Sequence, residues 1–129
     1  TVGVSNINEI AQALDALLPK VDALYEPTDN LVASAMPLIA EKSIANKKAV
    51  ITGEKGMVEA GGLATEGIDY YELGKQTGEM AIKVLKGEKP NTLAIKTLEK
   101  TELVINMKTL NALGLTLPAD LDKKATKVE

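Results

Sequence analysis

The sequence contains no Cys, His, Trp, Phe or Arg, and its only aromatic side chains are Tyr25, Tyr70 and Tyr71. Without Cys or His, the usual zinc, haem and iron–sulfur ligand sets cannot be assembled, nor can a Ser-His-Asp or Cys-His nucleophile system. No cofactor is expected, and carboxylates, Lys, Tyr and hydroxyls are the chemistry that remains. The missing cysteines do not fix the compartment, because a domain with an adequate core needs no disulfide. The absence of Arg removes the commonest base-reading side chain. With a net charge of −3 and basic pairs only at Lys47-Lys48 and Lys123-Lys124, nucleic acid is not expected as a partner. No stretch nears the ~20 apolar residues that cross a bilayer.

What is present is an ordinary globular balance, with 45% hydrophobic and 26% charged residues in a chain of 129. That length suits one compact α/β domain and is short for two. Thr1 to Val4 opens without Met and already alternates β-formers, which reads as a strand inside a larger protein; an export signal would lie upstream. Asn6 followed by Glu9 resembles a capping box, and Ile7, Ile10, Ala11, Leu14, Leu17 and Leu18 keep helical spacing until Pro19. Val21 to Tyr25 reads as a strand. Asn30 to about Lys42 reads as a helix kinked at Pro37, and Ala49 to Thr52 as a third strand. A brief helical turn to Ala60, a strand from Leu63 to Ile68 and a long helix from Tyr70 to Lys86 follow. Leu93 to Leu98 and Glu102 to Ile105 have strand character, Met107 to Leu113 is helical, and Pro118 begins a charged tail expected to be solvated. Strands alternating with helices predict a mostly parallel sheet with helices on both faces.

In such sheets ligands sit at the carboxyl ends of strands. Three loops qualify: Ser5-Asn6, Glu26 to Asn30, and Gly53 to Gly56. Thr28, Asp29 and Asn30 offer a hydroxyl, a carboxylate and an amide beside a helix start, a set able to hold a zwitterion. The plainer reading is that one of them caps the helix. In Gly53-Glu54-Lys55-Gly56 the glycines admit close backbone approach, and Glu54 adds a second carboxylate suited to an ammonium group. The plainer reading there is a solvated Gly-rich turn; a P-loop is excluded, because no Gly-Lys-Ser/Thr follows. Asp29 with Glu54 or Glu66 could be drawn as a glycosidase pair, although 18 acidic residues make two near a cleft unremarkable.

Three blocks resemble the ABC-transporter substrate-binding family that includes tryptophan and tyrosine binders: Val21 to Asn30, Gly53 to Val58 and Gly61 to Gly74, supported by Leu103 to Asn106 and Thr109 to Leu115. The resemblance implies one lobe of a type I periplasmic-binding-protein fold, with the chain forming the C-terminal portion of a two-lobe protein. It places 1–62 and 91–118 in the second lobe, 63–90 in the missing first lobe after a crossing near Gly61-Gly62, and 119–129 in a tail. It implies a ligand site of Thr28, Asp29 and Asn30 with Glu54, Lys55 and Gly56, and more weakly Ser5 and Asn6. The small-molecule ligand would be amino acid-like, the partners the membrane subunits of an importer, and the location extracytoplasmic, as a lipoprotein or periplasmic protein. Catalysis is not expected.

Two other classes compete. The effector domain of a LacI-type regulator shares the fold and the strand-loop-Asp-helix site, and an enzyme could use Asp29 and Glu54. A helix that has lost its lobe would expose an apolar stripe, so Tyr70 to Lys86 is expected to pack on this chain's own sheet or on a second copy, giving a homodimer.

Overall fold

The computed structural model describes residues 1–98 and 101–129. Helix α1 (Ile7–Leu17) starts where the capping signal places it: Asn6 is extended and its side chain accepts the Asn8 N–H at 3.1 Å. The box is rearranged, because the Glu9 carboxylate takes the Ser5 N–H at 2.7 Å and the Asn6 amide at 2.6 Å. Pro19 then lies in a short 3-10 turn, Leu18–Lys20, that leads to the first strand.

Among the described residues, five strands, β1 (Ala23–Glu26), β2 (Ala49–Thr52), β3 (Ala64–Ile68), β4 (Thr101–Asn106) and β5 (Thr126–Val128), form one sheet in sequential order. All neighbours run parallel except β3 and β4, which pair antiparallel over Ala64↔Ile105 to Ile68↔Thr101. The predicted mostly parallel α/β fold is therefore present. The remaining helices are α2 (Asn30–Ser34), α3 (Met36–Ala45), α4 (Lys55–Glu59), α5 (Tyr70–Leu85), α6 (Met107–Leu113) and α7 (Ala119–Asp122).

Several expectations need correction. Thr1 to Val4 forms no strand; β1 heads the sheet with β2 as its neighbour, and Val4 packs against the core instead. The helix expected from Asn30 to Lys42 is two helices, because Ala35 leaves helical geometry (φ −96°, ψ 4°). Pro37 falls in the first turn of α3, where its missing N–H costs no intrahelical bond. Residues 93–98 carry no strand. The tail is not wholly solvated loop: Thr126–Val128 adds a parallel edge to β4, with Val104↔Thr126 and Asn106↔Val128 in register.

Beyond Gly61-Gly62, where the crossing was expected, the chain stays in the same sheet: residues 64–68 are its middle strand, held between β2 and β4. Gly61 makes the tight return that allows this: its φ is +117°, and a Cβ there would stand 2.6 Å from the Ala40 Cβ. The chain leaves the sheet only after Ile68. Helix α5, which follows, buries no residue, and Tyr71, Ile82 and Leu85 are exposed. The expectation that its stripe packs on this chain's own sheet is not met.

With aromatic residues so scarce, the core is aliphatic. Ile10, Leu14 and Leu18 from the first helical segment meet Met36, Ile39 and Ala40 of α3, Met57 of α4, and Leu24 and Val50 from the sheet. Leu24 and Val50 are paired neighbours on one face. Tyr25 and Ile51, the next pair in register, face the other way and are 68% and 38% exposed. At β1 and β2, helices therefore cover one face and not both. Lys42 Nζ reaches Asp15 Oδ1 at 2.6 Å and ties α3 to α1 at the surface.

Ile39 is 1% exposed at the centre of this layer. Ile39→Ala is expected to cost about 2–5 kcal/mol in urea denaturation; a loss below about 1 kcal/mol would contradict its place in the core.

Candidate functional site

The carboxyl ends of β1, β2 and β3 point to one edge of the sheet, because the three strands are parallel. Each is followed within a few residues by a helix, so backbone N–H groups gather along this edge. The loop after β1 presses on the loop after β2: a Cβ on Gly53 would lie 2.6 Å from the Thr28 hydroxyl oxygen and 2.7 Å from the Thr28 nitrogen. Gly53 in turn abuts β3, since a Cβ on Gly67 would stand 2.8 Å from the Gly53 carbonyl oxygen. Glycine at 53 is what lets Thr28 and the Gly53–Gly56 turn share one patch.

The sequence-predicted residues divide by what their side chains are already doing. Asp29 caps α2, with Oδ1 accepting the Leu31 N–H at 2.9 Å and the Val32 N–H at 3.0 Å. Only Oδ1 is used this way, and Asp29 is exposed, so its second oxygen is left to other partners. Thr28 and Asn30, on either side, are exposed as well. Glu54 is more fully occupied: Oε2 takes the Gly56 N–H at 2.7 Å and Oε1 takes the Met57 N–H at 2.9 Å. Its first role is therefore to cap α4, so the turn is not simply a Gly-rich loop with a solvated charge. Lys55 lies 3.7 Å from Glu102 at the start of β4, and Gly56 is exposed.

Ser5 and Asn6 precede α1. Asn6 spends its oxygen on the Asn8 N–H and its amide on Glu9, so the cap accounts for this side chain. Among the described residues, no hydrogen bond joins Ser5 or Asn6 to the Thr28 or Gly53 loops.

Two residues not singled out from sequence stand on the same edge. Asp69 directly follows β3 and caps α5, its Oδ1 accepting the Tyr71 N–H at 2.8 Å and the Glu72 N–H at 3.3 Å. It repeats the strand-Asp-helix pattern of Asp29, and that pattern was the signal for it. A parallel bridge between Glu54 and Ile68 sets Asp69 beside the second loop. Glu26 ends β1 opposite Thr52 and is half-buried; burial pushes its carboxyl above the ordinary carboxylate range. Nothing in its residue type marked it, since the burial that raises its carboxyl arises only in the folded chain.

A cleft of about 960 Å³ opens next to this edge, lined by Lys55, Asp69, Glu72, Lys75, Lys96 and Glu102 among others. Its walls carry both signs of charge. The edge as a whole offers carboxylate oxygens for a cation and hydroxyl, amide and backbone N–H groups for an anion, within one neighbourhood. Among the described residues no group of three His, Cys, Asp or Glu is placed to hold a metal ion.

The family model for the ABC transporter substrate binding protein matches residues 1–129. A tyrosine-binding protein of Clostridioides difficile is 44% identical over 113 residues, which is 88% of this chain and 33% of that protein. An uncharacterized protein of Rickettsia prowazekii is 22% identical over 84% of this chain and 36% of its own length. The chain thus spans about a third of the length of the curated relatives it matches. Among solved structures, the ABC domain from Streptococcus pneumonia in complex with L-Trp superposes with a TM-score of 0.90 at 38% identity, over 100% of this chain and 44% of that one. The ligand-free, open structure of a Clostridium difficile substrate binding protein with adhesive properties gives 0.78 at 41% identity, over 99% and 43%.

The raised Glu26 carboxyl has a consequence for stability. The folded state holds its proton to higher pH than the unfolded state does, so the associated stability is present at low pH and is lost as pH rises through the raised value. Glu26→Gln is expected to be near neutral at about pH 3 and stabilising at about pH 7 in thermal melts. An equal effect at both pH values would contradict the burial of this carboxylate.

Proposed function

The chain belongs to the ABC transporter substrate-binding protein family, and from that premise we propose that it forms the second lobe of an importer's binding protein, taking an amino acid of the tyrosine or tryptophan kind. The observation that carries this reading is the contact of Thr28 with Gly53, which brings a helix-capping carboxylate with one unused oxygen, a hydroxyl and an α4 N-terminal turn into one patch. An amino acid zwitterion needs that pairing of acceptors with donors. The names of the tyrosine-binding relative and of the L-Trp complex support the ligand class.

In this reading Asp29 receives the ligand ammonium through its unused oxygen, Thr28 and Asn30 add hydrogen bonds, and the Glu54–Gly56 turn lines the floor. Ser5 and Asn6 stand at the periphery. The second lobe comprises residues 1–68 and the part that returns with β4, while the segment from Tyr70 to about Pro90 docks on a first lobe supplied by the rest of the protein. The unburied face of α5 is what that docking would cover. Closure of the first lobe over the edge supplies the remaining ligand contacts and excludes water. The protein works outside the cytoplasm, delivers its ligand to the transporter's membrane subunits and carries out no reaction of its own.

Binding is tested by calorimetric titration of the two-lobe protein with L-tyrosine and L-tryptophan. Asp29→Asn retains a good N-cap while removing the charge, so it is expected to leave the melting temperature nearly unchanged and to weaken binding about tenfold or more. Unchanged affinity in Asp29→Asn would remove Asp29 from the site, and silence toward all amino acids would overturn the ligand class.

A further inference from the structure

Helix α4 is five residues long, too short to hold its place by its own propensity, so its position is set by what grips its two ends. The N-terminal end is gripped by the Glu54 carboxylate and by the backbone bridge from Glu54 to Ile68. The C-terminal end is gripped from a distant part of the chain. Asn106, at the end of β4, donates from Nδ2 to the Val58 carbonyl at 2.9 Å, across 48 residues of sequence. Its Oδ1 accepts the Thr109 N–H at 2.9 Å, its backbone N–H bonds the Leu63 carbonyl at 2.9 Å, and the Thr109 hydroxyl donates to the Gly61 carbonyl at 3.0 Å.

Asn106 and Thr109 are only 3% and 5% exposed, so these bonds are made away from water, where an unmet donor or acceptor is costly. Between the two grips Met57 and Val58 are 1% and 0% exposed, so this single turn is enclosed by packed atoms, and a displacement at Val58 is passed on toward Gly56.

We propose that Asn106 is a positioning residue for the ligand-side end of α4. It touches no ligand; it sets where the Lys55 and Gly56 backbone stands by fixing the opposite end of the helix. The inference rests on the reading that the Gly53–Gly56 turn faces the ligand. Because β4 is the strand by which the chain returns after α5, it also ties that turn to the return path from the other lobe.

The test uses the two-lobe protein and four variants. Asn106→Leu removes both side-chain bonds; Asn106→Asp keeps the acceptor for Thr109 and turns an acceptor toward the Val58 carbonyl. Thr109→Val deletes only the hydroxyl donor at nearly constant shape. Leu14→Ala, at a 4% exposed site in α1, lowers stability through lost apolar packing and leaves the hydrogen bonds at both ends of α4 in place. L-tyrosine affinity is measured at a temperature where every variant is folded, together with amide hydrogen exchange at Gly56 and Met57 in the absence of ligand. Both Asn106 variants are expected to bind about tenfold more weakly and to exchange faster at those two amides. Thr109→Val is expected to fall between, and Leu14→Ala to lose stability with wild-type affinity. Asn106 variants that bind like the wild type and change exchange no more than Leu14→Ala would reduce Asn106 to a stabilising residue. Should Asn106→Leu fail to fold, Asn106→Asp carries the same two readouts. Should the wild type bind no amino acid, the ligand reading falls alone, and the exchange at Gly56 and Met57 still decides the role of Asn106.

Discussion

The edge that carries the candidate site depends on one requirement: the first backbone N–H groups of each helix must find acceptors. At the starts of α1, α2, α4 and α5, the acceptor is a side chain from the residue immediately before the helix: Asn6, Asp29, Glu54 and Asp69. Capping fixes the loops, and fixed loops place polar groups where a ligand can meet them. It also leaves a residue of free chemistry. Asp29 and Asp69 cap through a single oxygen, whereas Glu54 uses both, so the same structural task leaves unequal binding capacity at the three carboxylates. The site is thus a by-product of helix initiation at the ends of parallel strands, sharpened where Gly53 lets two of the loops touch.

Much of this was legible in the sequence because capping and helical periodicity are local. The start of α1 at Asn6, the strand-loop-helix pattern around Asp29 and the bounds of α6 follow from residue type and spacing. Resemblance to the substrate-binding family, now matched over residues 1–129, came from three short blocks and not from periodicity. What stayed hidden depends on partners far along the chain. Thr1 to Val4 has strand composition, yet a strand needs a neighbour. Thr126–Val128 lies in a charged tail, yet finds one in β4. The break at Ala35 was misassigned to Pro37 because proline marks both a kink and a helix start, and only the backbone distinguishes them. The Glu26 environment is likewise a property of packing, with no trace in local composition.

The uneven covering of the fold fits the proposed two-lobe arrangement. One face of β1 and β2 builds the aliphatic core, while Tyr25 and Ile51 on the other face remain outward. Helix α5 is amphipathic in sequence and buries nothing. Both features are costly in an isolated domain and ordinary in one part of a larger assembly. Asn106 ties β4 to α4, the helix whose N-terminal turn stands at the candidate edge.

The central claim is that the β1 and β2 loop edge receives an amino acid. Nuclear magnetic resonance mapping of the two-lobe protein, titrated with L-tyrosine, tests it most directly. The account predicts that the largest backbone amide shifts fall at Thr28 to Asn30 and at Glu54 to Gly56, with smaller changes at Asp69. Saturable shifts confined to the surface of α5 and residues 95–98, with the two loops unmoved, would contradict it.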